Sequence, residues 1–134
     1  MKEKSYQYEV EFKVRDYEVD LQGVVNNANY MHYLEHARHE YLISKDIDFA
    51  AMHEEGKDLI VTGAELKYRL PLRSRDAFII KLNVRKKGNI QVVFEQDIFR
   101  LPDNKLVLNA QITGACLHNG RPVIPTEVLE ALNL

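Results

Sequence analysis

Tryptophan is missing from this chain, cysteine occurs once and proline four times in 134 residues. With Cys116 alone there is no internal disulfide, and no Cys-x-x-Cys pair to hold a metal through thiolates. The thiol reads instead as a small buried apolar residue on a strand. Uncharged runs fall far short of a membrane span, which needs about 20 apolar residues. The opening MKEKSYQYEV is charged and alternating and lacks the apolar core of a secretory leader, so the chain reads as cytoplasmic. A basic tail and arginine-rich blocks are also lacking, and the net charge of −2 argues against a nucleic-acid partner. No Walker or Rossmann glycine motif occurs, and no cofactor is expected. Nor does any linker, internal repeat or low-complexity tract divide residues 1–134, which read as one domain.

What is present is an ordinary globular mixture, 46% hydrophobic and 28% charged. Tyr6, Tyr8, Val10, Phe12 and Val14 alternate with polar residues, as in a half-buried strand. From Asn27 the spacing changes. Tyr30, Leu34, Ala37 and Tyr41 form a helical stripe edged by Met31 and Leu42, predicting a helix to Ser44 or Lys45. A shorter helical piece, Phe49 to Glu55, ends at Gly56. Strands are predicted at Leu59–Leu70, Ala77–Lys87, Ile90–Arg100 and Lys105–His118, in antiparallel succession. Turns fall at Lys87-Gly88-Asn89, Pro102-Asp103-Asn104 and Asn119-Gly120. Pro125 opens a last short helix with Thr126 as its cap. The fold class is α+β, with one long helix burying its stripe against a curved five-stranded sheet. Such a sheet leaves edges, which predicts a dimer joined edge to edge.

The chain is organised around Asp16–Leu42, DYEVDLQGVVNNANYMHYLEHARHEYL. Asp20, a carboxylate expected to be buried, precedes the helix start at Asn27 by seven residues. A helix N-terminus offers unpaired N–H groups and partial positive charge. A carbonyl held there can be attacked by a nearby carboxylate, or by water that the carboxylate activates. Asp16 and Glu18 are rivals, a loop acid or local cap is the plainer reading of Asp20, and Asn26 and Asn27 serve equally as structural caps.

The stretch EVDLQGVVNNANYMHYLEHAR, Glu18 to Arg38, resembles the opening motif of hot-dog-fold acyl-CoA thioesterases of the 4-hydroxybenzoyl-CoA thioesterase type. The YRLP segment with Arg73 and Asp76, the basic Arg85-Lys86-Lys87 and the late Ile124-Pro125 extend the likeness over almost the whole chain. The resemblance implies a hot-dog fold and a hydrolase releasing a carboxylic acid and coenzyme A, working as a homodimer or homotetramer. It implies that Asp20 is nucleophile or general base, that the Asn27 N–H polarises the thioester carbonyl, and that Gly23 keeps the loop tight. Glu35 falls at an acyl-pocket position, and Tyr30 is a further candidate for the pocket wall. Two positions depart from the family pattern: Glu18 replaces aspartate, and Val24 stands where relatives carry histidine.

Other readings compete. Glu35 sits roughly 100° from the centre of the apolar stripe, where pairing with Arg38 or His39 would also explain it. His32-Tyr33-Leu34-Glu35-His36 spells an inverted zinc-protease motif. The expectation is no metal, because His32, His36 and His39 fall on the solvated face. Arg85, Lys86 and Lys87 are candidates for meeting the phosphates of coenzyme A, and Arg69, Arg73 and Arg75 form a second basic group. A binding module without turnover, a thioesterase for acyl carrier protein and a hydro-lyase remain as alternatives. The hydro-lyase would want a histidine in the acid-rich loop, and none is there.

Overall fold

The computed structural model describes residues 4–134. The first three residues, part of the segment read above for a leader, lie outside the described residues. Strand β1 (Tyr8–Lys13) leads through a single 3-10 turn to helix α1 (Asn27–Ser44) and short helix α2 (Phe49–Glu54). Then come β2 (Lys57–Tyr68), β3 (Ala77–Lys87), β4 (Gln91–Leu101) and β5 (Lys105–His118). A two-residue β6 (Arg121–Pro122) and helix α3 (Thr126–Ala131) close the chain. Among the described residues no helix is long and apolar enough to cross a membrane.

The five long strands are antiparallel, but they do not follow one another across the sheet. Their order is β1-β3-β4-β5-β2. Strand β2 leaves its neighbour in sequence and pairs with β5, from Lys57↔His118 to Tyr68↔Leu108. Its place at an edge is a correction to the succession expected from the sequence. Local hairpin signals fix β3–β4 and β4–β5, where Gly88 and Asn104 take positive φ in the turns. The partner of β2 is a long-range choice that turn residues do not encode. Smaller corrections concern ends: β2 stops at Tyr68, two residues short, and β4 is shifted one residue, to Gln91–Leu101. Strand β2 starts two residues earlier than expected, and Thr126 is the first helical residue of α3, whose cap Pro125 makes no side-chain bond.

Helix α1 spans the predicted residues, capped by the Asn26 side chain, which accepts from the Asn29 N–H at 3.1 Å. Its inner face carries Tyr30, Leu34, Ala37, Tyr41 and Leu42, as the stripe requires, and adds Tyr33 and Arg38. All of these but Arg38 pack into one core with Phe78, Ile80, Leu82, Phe94 and Ile98 from the sheet. Leu34 is wholly buried, so truncation to alanine there costs about 2–5 kcal/mol. Phe12 stacks on Phe78, its partner across β1 and β3, with ring centroids 5.1 Å apart, and meets Tyr33 of the helix at 5.9 Å.

Strand β2 is different. None of its residues is fully buried, and Ile60, Val61 and Tyr68 are exposed apolar residues along it.

Candidate active site

Asp20 sits in a tight loop. The bridge Val19↔Val25 draws the loop closed, the Asp20 N–H donates to the Val24 carbonyl at 2.9 Å, and the Gly23 N–H donates to the Asp20 carbonyl at 3.0 Å. Gly23 has φ +78° and open space where a Cβ would stand, so backbone conformation, not crowding, favours glycine here. The Asp20 side chain accepts from the Gln22 N–H at 2.8 Å. The expectation of a buried carboxylate fails: Asp20 is exposed, and the buried acid of this loop is Glu18. A turn tip built from local backbone bonds has no core to enter, whereas Glu18 closes a 3-10 turn against α1. Tyr17 and Leu21, the latter fully exposed, flank Asp20 at the surface.

Glu18 organises the approach to the helix. Its Oε1 accepts from the Arg15 N–H at 2.7 Å and from the Tyr33 hydroxyl at 2.9 Å. Its carbonyl accepts from the Asn29 amide at 2.8 Å. Burial above all, and then the bond to Glu18, lift the Tyr33 phenol well above the ordinary tyrosine value. The Val25 N–H donates to the Leu72 carbonyl at 2.8 Å, and Val24 bridges Arg73. Together these bonds hold the loop against the start of α1. Among the described residues no acceptor lies on the Asn27 or Ala28 N–H, leaving both donors free at the positive end of the helix dipole.

Tyr30 is elsewhere. It is buried, and its hydroxyl accepts from the Leu72 N–H at 3.0 Å, so it supports the loop rather than presenting itself at the surface. Glu35 is exposed and lines a cleft of about 630 Å³ between α1, α2 and β2. Among the described residues it makes no ion pair within 4.0 Å with Arg38 or His39. Eight residues of helix separate Glu35 from Asn27, about 12 Å of rise. The cleft and the Asp20 loop therefore lie at different ends of α1.

Basic residues divide the same way. Arg73 joins the Asp20 loop through its bridge with Val24, and Arg75 pairs with Asp16 at 3.8 Å. Arg85, Lys86 and Lys87 stand at the far end of β3, ten residues from Ala77 and about 30 Å along the strand. Arg85 is tied to Glu95 at 2.8 Å, while Lys86 and Lys87 are exposed. Among the described residues no three His, Cys, Asp or Glu side chains converge as metal ligands. His36 packs on Phe12 and pairs with Glu40, and His39 lies against Phe49.

Sequence reasoning missed Arg38. It is 6% exposed and donates from Nη1 to Gln96 Oε1 at 3.0 Å, while Gln96 Nε2 donates to the Leu34 carbonyl at 3.0 Å. Desolvation lowers the Arg38 pKa, and the charge of Glu35 partly opposes this. The guanidinium lines the same cleft as Glu35. Its position beside Ala37 on the stripe was the available signal.

Residues 14–132 match the model of the thioesterase-like superfamily, and the chain belongs to that family. It is 40% identical over 123 residues to the acyl-acyl carrier protein thioesterase ATL3, chloroplastic, of Arabidopsis thaliana, covering 90% of this chain and 65% of that one. The chain thus spans a little under two thirds of that relative's length. Over 109 residues it is 29% identical to the long-chain acyl-CoA thioesterase FadM of Escherichia coli, covering 81% and 82%. A solved structure of a hypothetical protein from Aquifex aeolicus superposes with a TM-score of 0.86 at 32% identity, covering 93% of this chain and 98% of that one. The hot-dog architecture, a curved antiparallel sheet around one helix, is that of this family.

Proposed function

We propose that the protein hydrolyses acyl thioesters, releasing a carboxylic acid and a thiol. The observation that carries this reading is the exposed Asp20 carboxylate, held in a closed loop bonded to the N-terminus of α1, where two backbone donors are free. The thioester oxygen accepts a hydrogen bond from the Asn27 N–H, which stabilises the charge that develops there. Asp20 then either attacks the carbonyl carbon, expelling the thiolate and leaving a mixed anhydride that water cleaves to the free acid, or takes a proton from a water whose attack expels the thiolate directly. Family membership and relatives named for coenzyme A and for acyl carrier protein support both carriers as substrate classes.

Two observations favour a site shared between two copies. Asp20 and the Glu35 cleft lie at different ends of one helix. Strand β2 leaves an edge with exposed Ile60 and Val61, and pairing two such edges would make a dimer with a continuous sheet. In that arrangement Glu35 lines the acyl pocket, Gly23 preserves the loop, Tyr30 braces it from beneath, and Lys86 and Lys87 with Arg85 meet the phosphates of coenzyme A. An acyl-binding role without turnover is the rival that the same cleft would allow.

The deciding experiment is free-thiol release from panels of acyl-coenzyme A and acyl carrier protein esters, with wild type and Asp20→Asn measured together. Turnover lost in the variant supports the reading. Tight binding without release from either protein would favour the binding module instead.

A further inference from the structure

Within the cleft between α1, α2 and β2, nearly every charged group already has a partner. His53 Nδ1 lies 2.6 Å from Asp58, and Lys57 bonds Glu127 at 2.6 Å and Glu55 at 3.0 Å. His39 rests on the Phe49 ring. Glu35 and Arg38 are the exceptions, and of the two only Arg38 is buried. Nine-tenths of it is buried, it bonds only the neutral amide of Gln96, and among the described residues no carboxylate lies within ion-pair distance. A guanidinium carries five N–H donors in a fixed fork; among the described residues no fully buried side-chain nitrogen lacks a partner, so the donors that Gln96 does not use open onto the cleft. Gln96, wholly buried, spends both ends of its amide on Arg38 and on the Leu34 carbonyl, so the fork is held in one orientation.

Past this point the cleft becomes hydrocarbon. Leu42, Phe49, Leu59 and Phe94 line both the cleft and a second, enclosed pocket that continues to Cys116 and Val128. That inner pocket has no polar lining and barely one water's worth of free space, about 10 Å³, so it stays dry. A ligand lying in the cleft meets this apolar wall along one part of its length and Arg38 along another. A nucleotide phosphate does not suit that path, and a plain alkyl chain would leave the guanidinium donors without acceptors.

We infer that Arg38, oriented by Gln96, is a specificity residue for acyl groups that carry a hydrogen-bond-accepting oxygen partway along an otherwise apolar chain. The inference deepens the thioesterase reading, on which the use of esters as probes rests. Sites built to bond a substrate oxygen discriminate strongly against analogues lacking it, because their own polar groups are left unpaired.

The experiment compares kcat/KM for esters of one chain length, saturated or bearing a single hydroxyl or oxo group stepped along the chain. Wild type is expected to favour one oxygenated series by about 100-fold. Arg38→Met should bring that ratio toward one, with the loss falling on the oxygenated esters. Arg38→Lys, which keeps the charge without the fork, should fall between. A merely structural Arg38 would lower all esters alike and leave the ratio intact, which overturns the assignment, as does a wild type indifferent to the oxygen. The same acids, free of any carrier, are titrated by calorimetry onto wild type and both variants. Tighter binding of an oxygenated acid that Arg38→Met abolishes sustains the assignment even if no ester is cleaved. Hydrolysis without discrimination leaves the thioesterase reading standing and removes this one. Should the variants not fold, the wild-type ratio decides.

Discussion

The Tyr33 hydroxyl donates to the Glu18 carboxylate at 2.9 Å, joining the Asp20 loop to the second turn of helix α1. Both side chains are buried, and the same oxygen of Glu18 also accepts from the Arg15 N–H at 2.7 Å. Losing the phenol leaves a buried acceptor short of one donor. Tyr33→Phe is expected to lower unfolding free energy by about 1–3 kcal/mol, read from urea midpoints at constant slope. Glu18→Ala should cost more, since it orphans donors from two residues. An unaltered midpoint in Tyr33→Phe would mean that the bond contributes nothing to holding the loop.

Asp20 is exposed and its bonds are local, so Asp20→Asn should melt with wild type while kcat falls by about 10³-fold or more. The asparagine can still accept from the Gln22 N–H, which keeps the loop closed. Thiol release and thermal melting on one preparation separate the two effects. Turnover within a few-fold of wild type would remove Asp20 from the chemistry.

Interrupting the β2 edge tests the shared site. Val61→Lys places a charge on an exposed edge position of the kind that disfavours strand pairing. Light scattering should report a smaller assembly, with activity falling in parallel. A variant of unchanged mass would place the interface elsewhere.

Removing the hairpin charges with Lys86→Ala and Lys87→Ala together should raise KM for coenzyme A esters several-fold, more than it lowers kcat, and flatten the salt dependence of binding. Arg73→Ala with Arg75→Ala is the matched comparison at the other end of β3. If only the second pair raises KM, the phosphates lie beside the Asp20 loop.

Alkaline pH should destabilise the fold in a defined window. Burial lifts the Cys116 thiol from 9.0 to about 11, and burial with hydrogen bonding lifts the phenols of Tyr33 and Tyr6 above the ordinary 10.0. Each folded value exceeds the unfolded one, so the unfolded chain sheds protons first as pH rises. The stabilisation is complete below the unfolded values and is lost as pH climbs through the raised ones. Urea midpoints taken from about pH 8 upward should start to fall near pH 9. A flat series across that range would contradict the burial assigned to these groups.

How far the sequence led differs from element to element. Helix α1 was legible to within a residue because a cap, a stripe and an unbroken run agree. The β3–β4 hairpin was legible for a similar local reason, a glycine turn between alternating strands. The partner of β2 was not, because edge position depends on distant β5. Asp20, Asn27 and Glu35 could be picked out by motif, and helix rise alone sets Glu35 about 12 Å from Asn27; that Asp20 is exposed while Glu18 is buried emerged only in three dimensions. Arg38 was passed over because an arginine is assumed to seek water, and nothing local announces that a glutamine 58 residues later will accept its hydrogen bond.

Cys116 is the chain's single thiol, 1% exposed in the floor of the inner pocket. Colour-forming thiol reagents act on thiolates, and a buried thiol with a raised pKa supplies few. The protein is therefore almost silent to the reagent that would report thiol release in the proposed reaction. A cysteine introduced anywhere on the surface would be the one position that takes a label, with no native residue to remove beforehand.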